Sequence, residues 1–125
     1  MARVPIVRLS DTLIATVQEE LRDRDGLALQ EDLSSALERT GACGVLIDLS
    51  AVQTVDSLLG RLLNDIAMEM RLLGAQTVVV GIQPAVAVTL LELGLELKGV
   101  RTALDPESGM RLLRRLVSAD GRPER

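Results

Sequence analysis

The sequence predicts a single α/β domain with a mixed, mostly parallel sheet, an N-terminal hairpin and about four helices packed against the sheet. Short β-prone runs alternate with longer stretches in which apolar residues recur at helical spacing. The runs at 45–47 and 77–80 carry no charged residue, which is typical of strands buried on both faces of a parallel sheet. A chain of 125 residues has room for one such domain.

The N-terminal half is predicted to begin with two short strands. Residues 4–9 and 13–17 are β-prone and are separated by a short polar turn. Residues 22–26 are polar and are predicted to form a loop. A helix is predicted over 27–39 and Gly41 provides its C-terminal cap. The apolar positions of this helix recur at helical spacing at Leu29, Leu33, Ala36 and Leu37.

The C-terminal half is predicted to alternate between strands and helices. An apolar stripe and a following glycine define its first helix, and a proline at the first turn marks its second. The predicted elements are a strand at 45–47, a helix at 57–73, a strand at 77–80, a helix at 84–94, a short strand at 100–103 and a helix from 105 to about 117. Residues 120–125 are predicted to be a flexible tail.

The composition excludes several classes of function. The chain has no Phe, Tyr, Trp or His, so it lacks the commonest general base and metal ligand and has no aromatic ring for base stacking. Its net charge of -4 gives no basic footprint for nucleic acid or an anionic membrane. No P-loop, dinucleotide-binding glycine motif or paired-cysteine spacing is present. We therefore expect no enzymatic activity, no metal and no cofactor.

The sequence predicts a cytoplasmic protein. Cys43 is the only cysteine, and we expect it to be a buried, reduced, apolar residue in a reducing compartment. The N-terminus shows no signal peptide. The most apolar stretch, residues 77–91, is interrupted by Gln83 and Pro84, so it is not expected to be a single membrane-spanning helix.

The segment at residues 48–57, Asp-Leu-Ser-Ala-Val-Gln-Thr-Val-Asp-Ser, joins a predicted strand to a predicted helix. The carboxyl ends of parallel strands are where α/β domains place their sites. The hydroxyl of Ser57 can cap the first-turn amides of the helix. The residues alone leave two interpretations open: Ser50 and Ser57 are both helix caps, or Ser57 is a functional serine.

The same ten residues closely resemble the signature of STAS domains, the fold of bacterial anti-sigma-factor antagonists. Many free antagonists continue with Ser-Gly, whereas this chain continues with Leu58-Leu59-Gly60-Arg61 and resembles the RsbS-type scaffold of the stressosome. Further runs between residue 4 and about 113 strengthen that resemblance: VPI at 4–6, LQEDL at 29–33, GVLID at 44–48, VGIQPAVAVTL at 80–90, ELGL at 92–95 and GVRTAL at 99–104.

The resemblance implies a scaffold with a STAS domain over residues 1–119 and the tail at 120–125. It implies that Ser57 is the acceptor of phosphate from a serine/threonine switch kinase, which the scaffold sequesters and then releases when Ser57 is phosphorylated, regulating a stress-response pathway. The other implied partners are a larger STAS sensor paralogue and a PP2C-like phosphatase that resets the serine. The implied assembly is a large hetero-oligomer.

Four neighbours of Ser57 are secondary candidates for phosphorylation or partner binding. Asp56 is a turn residue, or it orients the Ser57 hydroxyl and helps the kinase to recognise it. Leu58 is a candidate contact for a partner. Arg61 lies one helical turn beyond Ser57 and either pairs with the phosphate or is a solvated surface arginine. Thr54 is a candidate second acceptor.

Two other functions are compatible with the resemblance. One is a free STAS antagonist that binds an anti-sigma kinase one-to-one. The other is a small nucleotide-binding α/β domain, because some STAS domains have been suggested to bind nucleotides. The missing P-loop argues against the second of these.

Overall fold

The order of strands and helices confirms the prediction. The structure is a computed structural model that describes residues 4–18, 23–94, 97 and 99–119. Within these residues the elements are β1 (Ile6–Leu9), β2 (Thr12–Thr16), α1 (Asp23–Thr40), β3 (Gly44–Asp48), α2 (Ser57–Leu72), β4 (Gln76–Val80), α3 (Pro84–Glu92), β5 (Arg101–Ala103) and α4 (Pro106–Ala119). The predicted tail at 120–125 lies outside the described residues.

The strands form one mixed sheet in the order β1-β2-β3-β4-β5. β1 and β2 pair in antiparallel fashion as the predicted hairpin, and β2 to β5 are parallel. Asp48 at the end of β3 pairs in register with Val80 at the end of β4. The segments that leave these two strands therefore begin side by side at the same edge of the sheet.

The two faces of the sheet are covered unequally. Side chains of Val45, Ile47 and Val79 point into a large aliphatic core that includes buried residues of α1, α2 and α3. Leu46 and the alternate residues of β4 point the other way, into a smaller cluster with α4. Alternation along each strand explains this division, and burial on both faces explains why β3 and β4 are continuously apolar.

Helix α1 begins earlier than predicted, at Asp23 rather than at residue 27. An acidic residue in the first turn, Asp25, complements the positive end of the helix dipole. Gly26 does not break the helix because α1 packs closely on α2 at this point. A Cβ added to Gly26 would lie 2.7 Å from Cδ2 of Leu62. The glycine is thus a packing residue and not a loop residue, which corrects the predicted loop from residue 23 onwards.

Two smaller predictions about burial were wrong. Cys43 is half-buried rather than buried, because it precedes β3 at the rim of the sheet, where its own backbone pairs with Asp11 and Gln76. Leu73, predicted to belong to the apolar stripe of α2, is the C-cap residue of that helix and is 52% exposed. Among the described residues, none of the helices is long and apolar enough to cross a membrane.

Candidate functional site

The loop between β3 and α2, residues 49–56, is anchored over its first half. The amide of Leu49 donates to the carbonyl of Val80 at 2.9 Å, which continues the parallel pairing by one residue. The amide of Val52 then donates to the carbonyl of Leu49 at 2.9 Å, forming a tight turn. The side chains of Leu49 and Val52 are buried in the large core. The second half of the loop is therefore held at both ends, by this turn and by α2.

Polar contacts tie the loop to the neighbouring turn between β4 and α3. One carboxylate oxygen of Asp48 accepts from the amide of Ser50 at 2.9 Å and from the hydroxyl of Ser50 at 2.5 Å. The side-chain amide of Gln83 donates to the carbonyl of Ser50 at 2.6 Å. The hydroxyl of Ser50 is thus engaged within the loop. Sequence reasoning did not assign Gln83 a role, because the contact spans 33 positions and depends on the register of β3 with β4.

Gly81 allows these two segments to approach each other. Its φ is +76°, in the left-handed region that favours glycine. A Cβ at this position would collide with the hydroxyl of Ser50 and lie 3.0 Å from both Oδ1 of Asp48 and the amide nitrogen of Ser50. A larger residue would therefore separate the loop from the turn.

Helix α2 is capped by Asp56 and not by Ser57, which corrects the prediction. Asp56 has extended backbone angles, and its Oδ1 accepts from the amide of Leu59 at 3.1 Å. Aspartate and serine are similarly good N-cap residues, and the helix starts one residue earlier than a serine cap would require. Ser57 is consequently the first residue of the helix. Its side chain is half-buried, and its hydroxyl forms no hydrogen bond within the described part of the chain.

The other predicted site residues surround Ser57 on the surface. Thr54, Asp56 and Arg61 are exposed, and Leu58 is 48% exposed. Arg61 lies one turn beyond Ser57 on the same side of α2 and makes no ion pair with any residue that the structure describes. Thr54 lies in the second half of the loop. The structure therefore brings the uncommitted hydroxyl of Ser57 together with an acidic cap, an apolar side chain and an unpaired cation.

The chemistry available at this position centres on the hydroxyl of Ser57. The chain has no histidine to act as a base for Ser57. Within the described ranges, no group of three or more His, Cys, Asp or Glu side chains could hold a metal ion. What the arrangement offers is an accessible hydroxyl at the positive end of a sixteen-residue helix.

Comparison with known proteins places the chain in a family. The model of the STAS domain matches residues 3–106. RsbRA of Bacillus subtilis, an RsbT co-antagonist protein, is 29% identical in an alignment of 103 residues that covers 74% of this chain and 36% of that protein. The chain thus spans about a third of the length of this curated relative.

Two solved structures cover nearly the whole fold. A serine-to-glutamate variant of RsbS from Moorella thermoacetica superposes with a TM-score of 0.79 and is 36% identical, covering 94% of this chain and 99% of that chain. A chain from the stressosome, described as a signal integration and transduction hub, has a TM-score of 0.77 and 38% identity, covering 90% of this chain and 97% of that chain. The fold is RsbS-like, and the chain belongs to the STAS domain family.

Proposed function

We propose that this protein is a non-enzymatic phospho-switch scaffold of a stressosome and that Ser57 is its phosphate acceptor. The observation that carries the proposal is the hydroxyl of Ser57, which lies at the first position of α2 on a half-buried side chain and has no described hydrogen-bond partner. Two competing hydroxyls are engaged, since Ser50 donates to Asp48 and Thr89 donates to the carbonyl of Ala85 at 3.0 Å. The hydroxyl of Thr54 is exposed and has no described partner, but it lies in the loop and not at the start of α2.

Phosphorylation at this position changes both charge and shape. A phosphate adds about -1.5 to -2 charges at neutral pH. The positive end of the α2 dipole favours that charge. The carboxylate of Asp56, which already accepts from the first-turn amide of Leu59, repels it. The phosphorylated loop therefore has to rearrange around two adjacent anions.

The rearrangement acts on a surface that suits a protein partner. Leu58 is an exposed apolar side chain next to Ser57, and Arg61 is an exposed cation one turn away. A partner packed over these residues in the unmodified state loses contacts when the phosphate is added. A change of about 3 kcal/mol in binding free energy alters occupancy by more than a hundredfold.

We infer the binding partners of this chain from the proteins that it resembles. One relative is an RsbT co-antagonist protein and another is a chain of the stressosome. We assign to this chain a serine/threonine switch kinase that it sequesters, a larger STAS paralogue that shares its assembly, and a PP2C-like phosphatase that resets Ser57. The setting is a cytoplasmic hetero-oligomer, with residues 1–119 as its STAS domain and 120–125 as a tail.

The first experiment maps the modified residue. The chain is incubated with its cognate kinase and ATP, and the products are mapped by mass spectrometry. We expect phosphate on Ser57, because its hydroxyl is uncommitted and lies at the positive end of α2, whereas Thr54 lies in the loop. Main phosphorylation at Ser50, Thr54 or Thr89 would overturn the assignment.

The second experiment measures the switch. Kinase is captured on unmodified protein, on protein phosphorylated at Ser57 and on the Ser57→Ala variant, with Ser35→Ala as a control for an exposed serine on α1. We expect retention by the unmodified protein and by both alanine variants, and release from the phosphorylated protein. Equal retention by phosphorylated and unmodified protein, both folded, would contradict the proposed switch.

A further inference from the structure

Helix α4 presents a basic surface to solvent. Its inner side is buried on the sheet through Gly109, Leu113 and Val117. Its outer side holds a shallow depression of about 470 Å³. The residues that line it, called here the α4 arginine face, are Ser108, Arg111, Arg114, Arg115 and Ser118.

The α4 arginine face is an elongated stripe. Positions 108, 111, 115 and 118 follow one another at three- and four-residue spacing, so they lie along one side of the helix. Ten helical steps separate the two serines, which corresponds to roughly 15 Å along the axis. Arg114 and Arg115 are exposed and make no ion pair with any described residue.

Arg111 is partly engaged by its own helix. Its guanidinium lies 3.4 Å from Oε1 of Glu107 and donates to the hydroxyl of Ser108 at 3.2 Å. The side chains of Arg111 and Glu107 are 55% and 87% exposed, so water surrounds this ion pair. Exposed pairs of this kind contribute little to stability and exchange readily for another carboxylate.

The charge of the face is opposite to the charge of the molecule. The chain as a whole carries -4, whereas the outer side of α4 has three arginines and one glutamate. Such a local field directs acidic groups towards this face and away from the rest of the surface. A guanidinium also binds a carboxylate through two parallel hydrogen bonds, which adds geometric selection to the attraction.

We propose that the α4 arginine face docks an acidic segment of another protein, whose carboxylates are spaced along the stripe. Three cations on an acidic chain without aromatic residues make too few contacts for nucleic acid, whose binding depends on many phosphate contacts and on stacking. They are also fewer than the roughly four to eight basic residues that typically recognise an anionic bilayer. Glu107 occupies Arg111 in the free protein and is displaced when the partner carboxylate binds.

The test uses a defined probe and two matched variants, and it requires no kinase. The probe is a fluorescent helical peptide with glutamates along one face, and a peptide with glutamine at the same positions is its control. The R114Q/R115Q variant removes two charges from the face. The R24Q/R71Q variant removes two exposed arginines from α1 and α2, on the other side of the sheet, so both variants have the same net charge.

Fluorescence anisotropy at low salt is expected to show that the glutamate peptide binds at least about tenfold more tightly than the glutamine peptide. R114Q/R115Q should weaken binding by about tenfold, and R24Q/R71Q by no more than about twofold. E107Q should strengthen binding by about two- to fivefold, because it removes the internal competitor. Thermal melting of each variant checks that the fold persists.

Several results would overturn the proposal. Equal losses in R114Q/R115Q and R24Q/R71Q would show that only overall charge is sensed. Weaker binding by E107Q would exclude internal competition. Tighter, arginine-dependent binding of a single-stranded oligonucleotide or of phosphatidylserine vesicles would assign the face to those ligands instead. Self-association that is lost in R114Q/R115Q would assign it to a second copy of the chain.

Discussion

Helices α2 and α4 begin with the same arrangement of residues. Asp56 and Asp105 each precede their helix, and each carboxylate accepts from the amide three positions later, at 3.1 Å from Leu59 and 2.8 Å from Ser108. A buried glycine follows four positions after each aspartate, Gly60 in α2 and Gly109 in α4. The local chemistry of helix initiation is therefore the same at both places.

The two helices differ in their first residue and in the length of the segment that connects each helix to the preceding strand. α4 starts with Pro106, which has no amide hydrogen and no group to modify, and only two residues separate it from β5. α2 starts with Ser57 after the eight-residue loop 49–56. The same cap thus gives a purely structural helix start in α4 and an accessible hydroxyl beside a loop in α2.

The largest effect is expected where α4 lies closest to the sheet. A Cβ on Gly109 would lie 2.6 Å from Cδ1 of Leu46 and would also collide with the side chain of Val80. Gly109→Val should therefore lower the free energy of unfolding by about 1–3 kcal/mol through overpacking. Urea denaturation of the variant and of the unaltered protein measures the difference in free energy of unfolding.

The control for Gly109 is Gly99→Val, because the nearest atom to a Cβ there is the Cβ of Ala67 at 3.7 Å, an ordinary contact. A surface change of this kind usually costs less than about 0.5 kcal/mol. Equal losses in the two variants would mean that the start of α4 is not held rigidly against β3 and β4.

The next largest effect is the difference in stability between a variant of Asp56, the cap of α2, and a variant of Ser57, the candidate acceptor. Asp56→Ala removes the oxygen that accepts from Leu59 and should cost about 1 kcal/mol, within the range of about 0.5–2 for N-cap losses. Ser57→Ala should change stability by less than about 0.5 kcal/mol, since Ser57 does not cap the helix. Chemical denaturation of both variants provides the comparison. A larger loss in Ser57→Ala than in Asp56→Ala would restore the serine as the cap.

The architecture could be predicted because it depends on local patterns. Runs of β-branched and aliphatic residues specify β3 and β4, and the spacing of Leu59, Leu63, Ile66 and Met70 specifies the buried side of α2. The position of the candidate site could also be predicted, since a parallel sheet places the segment after β3 at its carboxyl edge.

The parts that could not be predicted depend on contacts between distant residues. Gly26 is typical of a loop in sequence terms. Its role in packing becomes evident only when α2 lies against α1, because Leu62 fills the space that a side chain would occupy. Asp56 and Ser57 are equivalent caps in sequence terms, and only the backbone geometry selects the aspartate. The contact from Gln83 to Ser50 requires the register of two strands, which no local pattern contains.

A smaller loss of stability is expected when the hydrogen bond that anchors the loop before α2 is removed. Gln83→Ala removes the donor to the carbonyl of Ser50, and a hydrogen bond of this kind contributes about 0.5–1.5 kcal/mol. Hydrogen exchange of the amides in residues 49–56 should become faster, while the helices keep their protection. Gln53→Ala, an exposed glutamine in the same loop, is the matched control. Unchanged exchange in Gln83→Ala would show that the first half of the loop is held by its backbone contacts alone.

The smallest effect concerns the pH dependence of the α4 cap. The amide of Ser108, followed by its hydroxyl and by the nearby Arg111, lowers the pKa of Asp105 below its usual value of 3.8. The ionised carboxylate is thus bound more favourably in the folded state than in the unfolded chain. Its stabilising effect is complete well above pH 3.8 and disappears as the pH falls through the lower folded pKa. The melting temperature of Asp105→Ala should therefore lie below that of the unaltered protein at neutral pH and approach it in acid. A difference that stays constant into acid would show that the charge of Asp105 does not contribute to capping α4.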